Sequence, residues 1–204
     1  MNMKLTWYGH SCFKLESGCG SIVFDPYAPG SVPGWSLPDA EADAVICSHG
    51  HSDHGYAEGV RLTGGAFTGK IVRVQGAHDH HGGAHRGGNT MTLVEADGLR
   101  AAHLGDVGCL LDGEQIEALG RVDVLMIPVG GHYTVGAEEA MEIVRQLRPA
   151  IVVPMNYRGK GFGYEVIGPV EPFLELAGNV KRLGGREYEV SLSDAPATIV
   201  FGRG

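Results

Sequence analysis

Three histidines and an aspartate fall within six positions, His49-x-His51-x-Asp53-His54, directly after the apolar run ADAVIC. On extended backbone, alternate side chains share a side, so His49 and His51 can grip one ion together. Asp53 and His54 then begin a helical turn and can present ligands to a neighbouring position. Imidazole and carboxylate donors together suit zinc, manganese or iron at neutral pH. The competing interpretation is a solvated polar loop, and a cluster of ligand-type residues just past a buried strand argues against it.

Further candidates recur downstream. The stretch AHDHHGGAHRGGN carries His78, Asp79, His80, His81 and His85. His78 follows the strand-like KIVRVQ after a short glycine turn and is the best placed of them as a ligand. His80, His81 and His85 read as a flexible histidine-rich loop, and Arg86 either orients a substrate anion or braces that loop. In HLGD, His103 and Asp106 are three apart and diverge on a strand, so one of the two is the ligand. Asp106 lies past Gly105 in the turn, where a carboxylate can bridge two cations; His103 lines the cleft or supports a ligand from behind.

These residues need elements to hold them. MKLTWYG, SCFKLES and SIVFDPY read as short strands, ADAVICS as a buried strand, and KIVRVQ as another. TMTLVEA and LRAAHLG flank Asp97-Gly98, a hairpin signal. VDVLMIPV, AIVVPM, EYEVSL and ATIVF complete the strands. GAEEAMEIVRQLRP is the clearest helix, with Ala140, Ile143, Val144 and Leu147 on one face and Pro149 as its stop. DGEQIEALG and GPVEPFLELAG read as shorter helices, and DHGYAEGV as one or two helical turns capped by Asp53. GSVPGWSLPDA is expected to be a surface loop, and Gly76 to Asn89 to lack regular structure. Most of the polar chemistry lies just past strand ends, within a mixed α/β architecture.

Composition narrows the function. The 204 residues fit one domain spanning 1–204, and 43% hydrophobic content excludes disorder. The net charge of −8 comes without a basic block, so no nucleic-acid partner is expected. No run approaches 18 apolar residues and no signal peptide is visible, so no membrane partner and a cytoplasmic location are expected. Cys12, Cys19, Cys47 and Cys109 form no CxxC and read as free thiols.

YGHSCF, FDPY, SHGHSDHG, HLGD and PVGGHYTVG together make the chain resemble the metallo-β-lactamase superfamily, from about Thr6 to Tyr157. Within it, the chain is similar to a compact branch of metal-dependent hydrolases that includes the ascorbate-6-phosphate lactonases. The resemblance implies a four-layer αββα sandwich with metals at one edge between two sheets. It places His49, His51 and His78 at a first metal site, Asp53 and His54 at a second, Asp106 bridging both, and Asp25 just behind. The family's last ligand is a histidine in a PMHY-like context, whereas this chain has Asn156 in VPMNY. An amide oxygen is a weak ligand for a transition metal, and His132 is the alternative.

The expected ion is zinc, one or two per chain, with manganese or iron(II) as alternatives. The chemistry implied is attack by a metal-bound hydroxide on a small-molecule ester, lactone or phosphoester. Asp53 and Asp106 handle the proton, and Arg86, Tyr133 and Tyr157 are candidate substrate contacts. The rival is a metal- or ligand-binding module that has lost turnover, motivated by Asn156.

Overall fold

The computed structural model describes residues 3–203. Its strands are β1 (Lys4–Gly9), β2 (Cys12–Ser17), β3 (Gly20–Phe24), β4 (Ala40–Ala42), β5 (Ala44–Ile46), β6 (Val60–Leu62) and β7 (Lys70–Ala77). There follow β8 (Gly88–Ala96), β9 (Leu99–His103), β10 (Val124–Pro128), β11 (Ile151–Met155), β12 (Val180–Arg182), β13 (Glu187–Glu189) and β14 (Ala197–Val200). The helices are α1 (Gly113–Leu119), α2 (Ala137–Leu147) and α3 (Glu171–Leu176).

The strands form two main sheets. The first has the order β13-β1-β2-β3-β5 and the second β12-β14-β11-β10-β9-β8-β7, with β4 and β6 as a small separate pair. In the second sheet, β9, β10, β11, β14 and β12 run parallel, while β8 is antiparallel to β7 and β9. Buried parallel strands should be apolar throughout, and β10 and β11 are buried at every position. The Asp97-Gly98 turn joins β8 to β9 as the sequence predicts, with Asp97 and Gly98 both at positive φ.

The sheets meet face to face through aromatic rings. Phe24 of β3 stacks on His103 of β9 with centroids 5.0 Å apart, and Phe13 of β2 lies 5.8 Å from Phe201. Trp7 is 1% exposed and sits among Phe13, Trp35, Tyr157 and Phe201. α2 buries Ala140, Ile143 and Leu147, the face predicted from spacing, and lies against β10 and α3, while α1 lies on β7. Asp112 caps α1 through a reciprocal pair of hydrogen bonds with Gln115.

Several local readings change. The stretch after His54 forms only a 3-10 turn, Ala57–Gly59, and Asp53 does not cap it. The loop from Ser31 to Ala40 is anchored, because Val32 and Trp35 are buried. Trp35 packs so closely on the β1–β2 turn that a Cβ at Gly9 would lie 2.4 Å from its ring. The histidine-rich segment is also ordered at both ends. β7 and β8 pair out to Ala77 and Gly88, and the Asp79 carboxylate accepts from the backbone N–H groups of His81, Gly83, His85 and Arg86. One carboxylate thus satisfies donors that a glycine-rich loop would otherwise leave to water. Strands β4, β6 and β12, three residues each, are too short to show a period in sequence.

Trp7→Ala empties a buried site that both sheets share. It is expected to cost ~3–5 kcal/mol of stability, read by chemical denaturation.

Candidate metal centre

The edge where the two sheets meet collects the C-terminal ends of several strands. From the first sheet come His10 after β1, Asp25 after β3, and His49, His51, Asp53 and His54 after β5. From the second come His78 after β7, Asp106 after β9 and Asn156 after β11. Ligand-type atoms converge there in three groups: His49–His51–His78, His10–Asp53–His54 and His49–His54–Asp106, each with its donor atoms within 4.8 Å of one another.

Backbone geometry aims these side chains. Asp25 and Asn156 follow their strands in the left-handed region, at φ 44° and 51°. Such positions are strained for non-glycine residues and are held by their surroundings. Gly105, at φ 56°, lies so close to Asn89 and Ser48 that a Cβ would fall 2.3 Å from the Asn89 Oδ1. Only glycine lets the chain turn there and deliver Asp106 inward.

Outer partners fix the imidazoles from behind. His54 Nδ1 lies 2.8 Å from Asp25 Oδ2, His49 Nδ1 lies 2.9 Å from Ser48 Oγ, and His78 Nδ1 lies 3.2 Å from the Tyr133 carbonyl. Ser48 in turn donates to Asp25 from its N–H and its hydroxyl. Nε2 of His54 and of His78 then faces Asp106 Oδ2, at 3.2 and 3.3 Å. Asp106 accepts from Asn156 Nδ2 at 2.5 Å, and its N–H donates to Asn89 Oδ1 at 2.8 Å.

His103 does not join the cluster. Its Nε2 donates to the Ser11 carbonyl at 2.8 Å and its Nδ1 accepts from the Gly105 N–H, so it braces the turn that carries His10. His132 is exposed, at φ 62°, and belongs to none of the three groups. Tyr157 is buried against Trp7 and Phe162, which removes it from the substrate side.

A cavity of about 360 Å³ opens beside the cluster, lined by His51, Asp53, His78, Arg86, Tyr133 and Tyr164. Arg86 lies over the Tyr133 ring, 4.0 Å from its centroid, and has no carboxylate within ion-pair distance among the described residues. Tyr164, absent from the sequence-based candidates, donates to the Ser31 carbonyl at 2.6 Å and lies 3.2 Å from Asp53 Oδ2. It stands 111 positions from Asp53, and nothing in local spacing signals the contact.

The donor set fits a cation. Nε2 of His49 and His54 and both ring nitrogens of His10 are buried and lack a hydrogen-bond partner among the described residues. A polar atom left in that state costs ~1–3 kcal/mol, which a bound ion would offset. Charges follow the same logic. Burial alone would raise the Asp106 carboxyl, but the neighbouring imidazoles, His54 foremost, hold it far below its ordinary range. Burial would likewise raise Asp53, and the imidazoles of His10, 3.5 Å away, and of His54 outweigh it. Burial lowers His49 to about 4, so its ring is neutral at pH 7 and ready to ligate. Burial opposes the charged form of His54 too, but Asp106 and Asp25 lift it well above its ordinary value.

Comparison with known proteins follows the same line. The family described as "Beta-lactamase superfamily domain" matches residues 4–156. The chain is 30% identical to a UPF0173 metal-dependent hydrolase of Thermoplasma acidophilum, covering 88% of this chain and 92% of that protein. It is 35% identical to one of Methanoculleus marisnigri, covering 76% and 81%. Among solved structures it is similar to a Thermotoga maritima protein of the metallo-β-lactamase superfamily, provisionally described as a Zn-dependent hydrolase. That match has a TM-score of 0.78 and 33% identity, and covers 98% of each chain.

Because His54 carries a proton in the metal-free protein near pH 7, ion uptake must displace it. Calorimetry of metal binding in buffers of different ionisation enthalpy should show about one proton released per chain from this residue. Affinity should rise about tenfold per pH unit up to the raised pKa of His54 and level off above it. Binding independent of pH between 6 and 8 would contradict a protonated His54.

Proposed function

This chain belongs to the metallo-β-lactamase superfamily and is one of its metal-dependent hydrolases, and on that premise we propose that it cleaves small-molecule esters, lactones or phosphoesters that carry a negative charge. The observation that carries the substrate reading is Arg86, a cation without a carboxylate partner, held over Tyr133 in the wall of the cavity beside the metal-type cluster. A guanidinium placed this way suits a carboxylate or phosphate on the substrate.

In this reading His49, His51 and His78 would hold one ion, Asp53 and His54 would serve a neighbouring position, and Asp106 would be available to both. The donor types favour zinc, with manganese or iron(II) as the other fits. The ions, when bound, supply Lewis-acid polarisation of the substrate oxygen and acidify a water for attack. The chain's own residues do the rest. Asp53, at the cavity wall and ionised, takes the attacking water's proton on a carboxylate oxygen. Asp106, anchored by Asn156 and Asn89, keeps its Oδ2 directed between His54 and His78. Tyr164, its hydroxyl donating to the Ser31 carbonyl and lying beside Asp53, walls the cavity on that side, and Tyr133 sets the position of the Arg86 guanidinium. Among the described residues, Ser52 is the one serine or cysteine lining the cavity, and no imidazole is hydrogen-bonded to its hydroxyl.

Elemental analysis of protein purified without added metal, beside His51→Ala, tests the first step. The native chain should hold metal and the variant distinctly less; equal content in both would sink the ligand assignment. A panel of lactones, esters, phosphodiesters and β-lactams with zinc, manganese and iron(II) in turn tests the second. Asp53→Ala should lower kcat ~10²–10⁴-fold. Arg86→Ala should raise KM for anionic substrates about tenfold while leaving neutral analogues little changed. Absence of turnover across the panel in fully loaded protein would instead favour a binding module without catalysis.

A further inference from the structure

We propose that His10 ligates the second metal position, with Asp53 and His54 and with Asp106 between the two ions, and that Asn156 contributes no ligand atom there. The proposal rests on the reading of the cluster as a metal centre, and adds to it a residue contributed by the β1–β2 turn of the first sheet.

His10 sits in the tight turn between β1 and β2, and its side chain is 1% exposed. Its Nε2 lies 3.5 Å from Asp53 Oδ2, and its ring centroid lies 5.1 Å from that of His54. A donor atom from each of His10, Asp53 and His54 falls within 4.8 Å of the others. Both ring nitrogens of His10 lack a hydrogen-bond partner among the described residues. A histidine buried for packing alone would hand at least one ring N–H to a carbonyl, as His103 does to Ser11. His10 instead presents an unused nitrogen to a carboxylate and another imidazole.

The turn is built to hold that orientation. His10 is in the left-handed region at φ 52°, a conformation a non-glycine residue keeps only when its surroundings impose it. Its carbonyl accepts from Trp7 Nε1 at 3.0 Å and from the Asn156 N–H at 3.4 Å, and the Ser11 carbonyl is tied to His103. Three buried groups therefore fix the backbone on both sides of the ring.

Asn156 explains itself by the same geometry. Its side-chain nitrogen, which has no lone pair to give, is turned toward Asp106 Oδ1 at 2.5 Å. The amide thus orients the carboxylate between the two positions, while its backbone N–H holds the His10 turn. Asn156 is a positioning residue, and the imidazole that the second position needs comes from His10.

The test is metal stoichiometry rather than turnover. Metal-free native protein titrated with Co²⁺ should take up two equivalents, seen in the visible d–d bands and confirmed by elemental analysis after gel filtration. His10→Asn tolerates positive φ and removes only the imidazole; it should keep the first equivalent and bind the second at least ~100-fold more weakly. The double variant His10→Asn with Asn156→His should recover the second equivalent if the position itself is intact. A native chain that takes two equivalents and a His10→Asn chain that takes two of unchanged affinity would overturn the role of His10 alone. A native chain that takes one equivalent would overturn the second position, and one that takes none would overturn the metal centre with it. A readout that needs no variant is the imidazole ¹⁵N spectrum of native protein loaded with ¹¹³Cd. His10 Nε2 should show coupling to cadmium, and an uncoupled His10 beside coupled His49 and His54 would refute the proposal.

Discussion

The carboxylate of Asp106, buried between the imidazoles of His54 and His78, is the constraint on which the site depends. A buried anion is tolerated only when cations or donors surround it, and here two imidazoles and the Asn156 amide do so, while the Asp106 backbone N–H is held by Asn89 Oδ1. Each partner arrives from a different element: His54 after β5, His78 after β7, Asn156 after β11, and Asn89 from β8. The carboxylate therefore ties the edges of both sheets to one point, and the sheets must close face to face for the arrangement to exist at all.

Strain at strand ends is the local counterpart of that convergence. Asp25 and Asn156 adopt positive φ where their strands stop, as His10 does in its turn, while Gly105 occupies a place that no side chain could share. The three non-glycine residues depart from the backbone their types prefer, and each delivers a polar group to the same edge. The aromatic layer of Trp7, Phe13, Phe24 and Phe201 supplies the rigid packing against which such turns are held. Trp7 joins both functions, since its ring fills the core while its indole N–H bonds the His10 carbonyl.

What could be read from sequence followed the distance over which its causes act. His49, His51, Asp53 and His54 stand within six residues, so ligand chemistry and backbone period expose them together. His78 and Asp106 were legible because each follows a recognisable strand at a glycine. Tyr164 was not, because its contact with Asp53 closes a loop of 111 residues and leaves no local pattern. Tyr157 misled for the converse reason: it neighbours Asn156, but the left-handed turn at Asn156 sends the next side chain elsewhere, and the Tyr157 ring packs into the core against Trp7. The histidine-rich segment looked formless because its order comes from one side chain, Asp79, binding backbone donors that composition does not reveal. The reduced stretch after His54 shows the limit of helical pattern over a few residues, where a single 3-10 turn was enough.

The two halves of the cluster differ in what holds them. His49 and His51 come from one short segment, and with His78 they need only β5 and β7 to be in place. His10, Asp53 and His54 meet only if the β1–β2 turn is seated against the end of β11 and against His103 of β9. Local openings should therefore disturb the second group before the first, because its geometry depends on more long-range contacts and on a strained turn. An ion that draws on the unpartnered nitrogens of His10, His49 and His54 would act on this difference. It binds the folded arrangement and not the open chain, so it stabilises the less secure half most, and the cation and the packing of the amino-terminal hairpin become two sides of one equilibrium.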